Sequence, residues 1–332
     1  MYTQFFGLQK SPFNLTSDPE FLYLTGQHRE ALAGLTYAIL ARKGCIVLTG
    51  NAGTGKTTLL ARILEHLPVS RIQSSVIVNP TLTPAEFLEA TLMGFGIHEI
   101  PASKAQRIAM LQGFLLMGNR DGKIAALIVD EAHKLSVEVI EEIRLLGNFE
   151  SSGQKLLQTV LVGQSELDAL LNSDALRQFK QRISLRLTLE PLAAAEIDPY
   201  IRYRWMKAGG GEAPFSAAAI AGIGQVSRGV PRVVNVLCDN SLMRAFGEDS
   251  ASVEVRHLLA VCRELQFADS IPEIAAAPLP PPTAPVVEAF QMKTLERYAA
   301  AAARPSLLAR LVDKIKLKVG LKTKLKQRIE TA

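Results

Sequence analysis

The sequence predicts an α/β fold, a mostly parallel sheet covered by helices, followed by a small all-helical domain. Three observations carry that class. First, the apolar run Cys45-Ile-Val-Leu48 leads directly into Gly50-Asn-Ala-Gly-Thr-Gly-Lys-Thr57. That segment fits the phosphate-binding pattern GxxxxGK[ST] behind a strand. Second, Ile124 to Val129 is apolar throughout and ends in Asp130 and Glu131, as suits a central parallel strand buried on both faces. Third, strand-length apolar runs alternate with helical periodicities up to Glu190-Pro191, after which only helical patterns follow.

The elements follow in order. The first 25 or so residues read as loop, with Ser11-Pro12, Asp18-Pro19 and the aromatics Phe13, Phe21 and Tyr23. Gln27 to Arg42 reads as a helix, with Leu32, Leu35, Ile39 and Leu40 near helical spacing. A strand at Cys45–Leu48 precedes the glycine-rich loop, and a helix runs from Thr57 to His66. Strands are expected at Ser75–Asn79, Ile124–Val129, Leu157–Gly163 and Ile183–Leu189, with helices at Pro84–Phe95, Lys104–Asn119 and Val137–Asn148. Beyond Pro191 the helices are about Ala193–Ala208, Ser216–Ser227, Pro231–Phe246 and Val253–Phe267, broken by Gly209-Gly-Gly211 and Ser227-Arg-Gly229. Pro199 falls inside the first of these and offers an alternative start, with Asp198 as N-cap.

The chemistry of the loop explains its residues. Gly50, Gly53 and Gly55 let the backbone curl so that the N–H groups of Asn51, Ala52, Thr54 and their neighbours form a nest for an anion. The helix opening at Lys56, Thr57 and Thr58 adds its positive end. Lys56 reaches the β- and γ-phosphates, and the Thr57 hydroxyl is a candidate Mg2+ ligand. A glycine-rich turn before an ordinary helix is the bland alternative, but here strand, glycines, Lys and Thr fall in one register. Asp130 is placed to hold Mg2+ and Glu131 to act as general base on water. Two acids after a strand also suit a helix N-terminus; the upstream phosphate loop favours the catalytic reading. His133 completes Asp-Glu-Ala-His, a tetrapeptide shared with a helicase group, but no further helicase motif is seen, so capping or packing remains open. No Asn-Lys-x-Asp guanine-reading motif is found, which favours ATP over GTP.

The bulk numbers fit this. At 332 residues, 48% hydrophobic and 21% charged, the chain holds one large domain and a smaller one. The net charge of +5 is concentrated at the end: from Gln291 to Ala332 eleven Lys and Arg stand against three acids. The body is mildly acidic and gives no argument for nucleic-acid binding. Cys45, Cys238 and Cys262 lack metal-ligand spacing and read as reduced core residues. The start, Met1-Tyr-Thr-Gln-Phe-Phe-Gly7, lacks the pattern of an export signal, and no run approaches the roughly 18 apolar residues of a membrane span. The expected location is the cytoplasm, or the periphery of the inner membrane. The linker at 268–290 is Pro/Ala-rich, and the tail at 291–332 is basic, with Leu308, Leu311, Val312, Ile315 and Val319 on one helical stripe. Its expected partner is an anionic membrane surface, with DNA or a protein partner as rivals, or none if it stays solvated.

Several segments carry a resemblance. They are Phe6-Gly-Leu8 with Ser11-Pro-Phe13, Asp18-Pro-Glu-Phe-Leu-Tyr23, His28-Arg-Glu-Ala-Leu32, Val162-Gly-Gln164 with Glu166-Leu167, Gln181-Arg-Ile183, Tyr200-Ile201 with Arg204, and Gly229-Val-Pro-Arg-Val-Val-Asn235. Over Met1 to Phe267 the chain resembles AAA+ ATPases of the P-loop NTPase class. More narrowly it resembles the general secretion pathway protein A (ExeA-type) group and related transposition ATPases. The resemblance implies a Mg2+-dependent ATPase that forms a homo-oligomeric ring or filament. It implies that Gln164 is the polar sensor facing the γ-phosphate and that Arg232 contacts the nucleotide from the helical lid. It also implies that Arg182 is an arginine finger acting on a neighbouring subunit, with Arg177 and Arg186 as rivals on the same segment. Tyr23–Arg29 is implied beside the adenine. The expected domains are an N-terminal segment at 1–42 contributing to the nucleotide site, an ATPase core at 43–190 and a lid at 191–267. Expected partners are components of a secretion, pilus or other envelope system. The rival is a DNA-bound transposition-type regulator, and a switch with negligible turnover is a third reading.

Overall fold

The computed structural model describes residues 2–67 and 71–267. The linker and basic tail expected beyond Phe267 lie outside the described residues. Two compact units are found among the described residues: 24–190, and 2–23 together with 191–267. The division at 23/24 differs from the segment expected at 1–42. Helix α1 (Tyr2–Phe5) and a 3-10 turn at Pro19–Phe21 belong with the later helices, whereas α2 (Gly26–Leu40) belongs with the sheet.

The sheet unit runs β1 (Cys45–Gly50), α3 (Lys56–His66), β2 (Ile72–Ile77), α4 (Pro84–Gly94), α5 (Lys104–Arg120), β3 (Ile124–Val129) and α6 (Val137–Leu146). A short hairpin follows, β4 (Glu150–Ser151) and β5 (Gln154–Lys155), then β6 (Leu157–Val162), α7 (Ser165–Leu171), α8 (Arg177–Lys180) and β7 (Ile183–Leu189). The five long strands lie in the order β2-β3-β6-β1-β7, all parallel. Every C-terminal strand end therefore points the same way.

Burial on both faces explains the continuous apolar runs. Val47, Leu127, Val129 and Leu161 on one face join a core with Phe87 and Leu88 of α4, Leu111 of α5, Ile140 of α6 and Leu167 of α7. The alternating residues Ile46, Leu48, Ala126, Ile128 and Val160 are also buried. Edge strand β7 alternates instead. Its Leu185 and Leu187 side chains lie 3.4 Å from where a Cβ on Gly34 of α2 would sit, while Ser184, Arg186 and Thr188 are exposed.

Some boundaries differ from the pattern-based expectation. β2 begins at Ile72 because Gln73, Ser74 and Ser75 pair with β3 despite their polarity. Ser75 is buried, and its hydroxyl donates to Thr91 O at 3.2 Å. The helix with Pro199 does not start there: α9 spans Ala194–Lys207. Its first turn is held by the Glu196 carboxylate, which accepts from the Ala193 N–H at 2.9 Å. Asp198 pairs with Arg202 at 2.8 Å rather than capping. The carbonyl that Pro199 leaves without a donor is that of exposed Ala195, open to water.

The helical unit comprises α9, α10 (Ala217–Ser227), α11 (Pro231–Gly247) and α12 (Val255–Glu264). The N-terminal segment is sewn into it. Arg204 is buried and donates through Nε to Pro12 O at 2.7 Å and through Nη1 to Phe21 O at 3.4 Å, with its guanidinium over the Phe21 and Tyr200 rings. Tyr23 packs on Tyr200 and Tyr203, and Phe13 and Phe21 join the core of Ile201, Trp205 and Phe215. Gly229 closes the α10–α11 turn at φ +76, its carbonyl accepting from the Leu192 N–H at 2.8 Å. A Cβ there would sit 2.1 Å from Leu192 O. Gly229→Ala is therefore expected to destabilise this unit by at least about 1–3 kcal/mol, the usual range for local backbone strain. A thermal melt checks it, and an unshifted transition would contradict it.

Candidate active site

The loop after β1 is shaped by its glycines. Gly50, Gly53 and Gly55 all have positive φ, at 154°, 81° and 95°. At Gly50 a Cβ would lie 2.4 Å from Leu189 O of the neighbouring strand, so only glycine fits the turn. Gly55 is the N-cap of α3 and brings no side-chain cap bond. The first N–H groups of that helix are thus open to a ligand, with the positive end of its dipole behind them. Asn51 and Ala52 are exposed at the loop tip, and Thr54 is buried with its hydroxyl donating to Asn51 O at 2.9 Å. Thr58 lies in the first turn of α3.

Lys56 folds back over the loop. Its Nζ donates to Gly50 O at 2.7 Å and Asn51 O at 2.8 Å. Burial pushes the ammonium pKa below its ordinary value, opposed by the charges of Glu131, Asp130 and Glu166. From α2, buried His28 lies behind the loop, with Nε2 3.4 Å from Thr54 O and Nδ1 2.7 Å from the Thr25 hydroxyl.

The acids stand beside the helix start. The Thr57 hydroxyl donates to Asp130 Oδ2 at 2.9 Å, and the Glu131 N–H donates to Asp130 Oδ1 at 2.9 Å. Burial pushes the Asp130 carboxyl upward, against the bonds from Thr57 and the Glu131 N–H and the charge of Lys56. A buried carboxylate and a hydroxyl so close together are hard oxygen donors of the kind Mg2+ takes, so these residues fit a Mg2+ site. Glu131 has φ 54°, a left-handed conformation that a non-glycine residue seldom adopts. Its carboxylate remains 38% exposed, within reach of a water.

β6 lies between β1 and β3, so Gln164, just past its end, falls between the loop and the acids. Gln164 is the N-cap of α7 by position but makes no side-chain cap bond there. Its backbone N–H donates to His133 Nδ1 at 3.4 Å, and its side-chain amide approaches His133 Nε2 at 3.4 Å. Lys56, Thr57, Asp130, Glu131 and Gln164 thus gather at one end of the sheet.

One candidate of the sheet unit lies elsewhere. Arg182 precedes β7, where Ile183 is level with Cys45 at the start of β1, whereas Leu189 is level with Gly50. Six strand steps place Arg182 roughly 20 Å from the loop of its own chain. It is exposed, donates to Asn148 Oδ1, and lines a 230 Å3 cavity with Lys43, Arg144 and Lys155. Of its rivals, Arg186 is paired to Asp168 at 2.9 Å and Arg177 opens α8. Arg232 is exposed in the first turn of α11, in the helical unit. Residue patterns alone missed Thr25, and they left the place of His28 and His133 undecided. Each contacts a partner distant in sequence or lies in an unremarkable turn.

The geometry agrees with similarity to known proteins. A family model described as AAA domain matches residues 40–171. General secretion pathway protein A of Aeromonas hydrophila is 39% identical over 254 residues, covering 76% of this chain and 46% of that protein. The chain thus spans less than half the length of this curated relative. Among solved structures, the ORC2 protein of Aeropyrum pernix, in ADPNP-ADP complexes, aligns with TM-score 0.58 at 16% identity, over 77% of this chain and 72% of that one. Cdc6p of Pyrobaculum aerophilum aligns with TM-score 0.56 at 17% identity, over 74% and 70%. At such identities these two speak for the fold alone. Parallel sheet, phosphate loop, helical unit and sequence similarity converge: residues 40–171 are an AAA domain of the AAA+ ATPase kind, in a chain similar over 254 residues to general secretion pathway protein A.

Proposed function

We propose that this protein hydrolyses ATP to ADP and phosphate in a Mg2+-dependent reaction and couples the cycle to assembly or remodelling of a protein partner in a secretion, pilus or other envelope system. One observation carries the enzymatic part: the phosphate loop, the paired acids and Gln164 end three adjacent parallel strands, β1, β3 and β6, on one side of the sheet. That is where ligands bind in open α/β sheets. The envelope role is supported by the similarity to general secretion pathway protein A.

In this mechanism the loop N–H groups and the start of α3 cradle the phosphates. Lys56 exchanges its two carbonyl partners for β- and γ-phosphate oxygens. Thr57 and Asp130 would hold Mg2+, which would supply positive charge against the phosphate oxygens. Glu131 accepts the proton of the attacking water. Gln164 contacts the γ-phosphate, and Arg232 engages the nucleotide from the helical unit.

Arg182 acts on the site of a second copy, because its own loop is out of reach. Arg182→Ala is expected to lose about 10³-fold or more in turnover, the scale of an arginine finger, with ATP affinity kept. Mixing Arg182→Ala with Glu131→Gln should restore part of the activity, since one copy then supplies Arg182 and the other Glu131. Full turnover by Arg182→Ala alone would contradict this and turn attention to Arg177 or Arg186. The wider proposal is tested by steady-state ATP hydrolysis at low salt with and without duplex DNA. A rate indifferent to DNA is expected. Strong stimulation by DNA would replace the envelope role with a transposition-type one.

A further inference from the structure

We propose that His133 is a positioning residue that passes the engagement of Gln164 to Glu131, an inference resting on the roles assigned to those two residues above. The ring stands between them. The Gln164 backbone N–H donates to Nδ1 at 3.4 Å, which makes Nδ1 the acceptor nitrogen and leaves the ring proton on Nε2. That Nε2–H faces two groups. Glu131 Oε2 lies 3.5 Å away, and the Gln164 amide, whose nitrogen is placed 3.4 Å away, can accept from Nε2–H only by turning its oxygen to the ring.

Packing keeps the ring in place. The His133 side chain is 12% exposed. At Gly163, just before Gln164, a Cβ would lie 3.2 Å from His133 N and 3.0 Å from Leu167 Cβ, so the end of β6 and the turn carrying His133 are pressed together. Lys134 also approaches Glu131 Oε2, but at 3.8 Å and with its side chain half exposed, where water competes.

The consequence is directional. When the Gln164 side chain turns to a phosphate, its backbone N–H still holds Nδ1, because that bond does not involve the side chain. Nε2–H then keeps Glu131 as its one acceptor. Occupancy of the phosphate site thereby tightens the hold on the carboxylate that activates water, and a carboxylate misplaced by about 1 Å costs on the order of 10²-fold in rate.

The test compares ATP Kd and kcat for full-length wild type, His133→Asn, His133→Gln, Gln164→Ala and the His133→Asn/Gln164→Ala double variant, with Glu131→Gln as reference. Asn offers an acceptor near the Nδ1 position but no donor where Nε2 lay; Gln reaches that position with an N–H. The expected result is that His133→Asn loses about 10²-fold in kcat with Kd unchanged and that His133→Gln recovers most of the loss. Adding His133→Asn to Gln164→Ala should cost a further loss of about the same size, because the backbone N–H of residue 164 still holds Nδ1 and Nε2–H still faces Glu131. Wild-type kcat in His133→Asn, equal losses in the Asn and Gln variants, or no further loss on adding His133→Asn to Gln164→Ala would each overturn the proposal. A slow Glu131→Gln beside a fast His133→Asn would strike this inference alone. A Glu131→Gln as fast as wild type would strike the reading of Glu131 and this inference with it.

Discussion

Glu131→Gln is expected to bind ATP as tightly as the wild type and to lose about 10²–10⁴-fold in turnover, the usual weight of a general base. The substitution keeps shape and removes the carboxylate proposed to take the proton from water. It leaves the surrounding bonds intact, because the hydrogen bond from residue 131 to Asp130 uses the backbone N–H. Asp130 is bonded to the Thr57 hydroxyl and to the backbone N–H of residue 131, not to its carboxylate, so the two proposed Mg2+ ligands stay where they are. Parallel measurement of ATP affinity and phosphate release separates the two effects. Turnover at the wild-type rate would remove Glu131 from the mechanism.

Lys56→Ala is expected to fail at the earlier step. A charge-assisted hydrogen bond contributes roughly 1.5–3 kcal/mol, and Lys56 is in position to make one to each of two phosphates, so affinity should fall about 10²-fold or more. The loop suffers as well, since Lys56 Nζ ties the Gly50 and Asn51 carbonyls together. Buried as it is, with its pKa already lowered by burial, the ammonium gains more from an arriving phosphate than a solvated one would. Titration with a fluorescent ATP analogue checks this, and wild-type affinity in Lys56→Ala would contradict it.

Much of this site could be read in the residues because its chemistry dictates spacing. A phosphate nest needs glycines, Lys and Thr at fixed offsets behind a strand, and Asp130 and Glu131 announce themselves at the end of an all-apolar run. Gln164 is different. Nothing in its own neighbourhood distinguishes it from an ordinary strand-end residue, and it became a candidate through the resemblance. Its contact with His133 spans 31 positions, a distance that local pattern does not encode. The N-terminal segment shows the same limit more sharply. Its prolines and aromatics read as loop before the nucleotide site, yet Phe13, Phe21 and Tyr23 pack in the helical unit because buried Arg204 gathers the Pro12 and Phe21 carbonyls. β2 began earlier than expected because Gln73, Ser74 and Ser75 pair with β3 and Ser75 is buried against α4, whatever their polarity.

The most direct test of the central claim is phosphate release from Mg2+-ATP by the wild-type chain, followed across a range of protein concentrations. Hydrolysis that climbs faster than linearly with protein is the expected result, since the proposal has Arg182 complete the site of another copy. Nucleotide that binds but releases no phosphate at any concentration would contradict the enzyme and leave a nucleotide-binding switch.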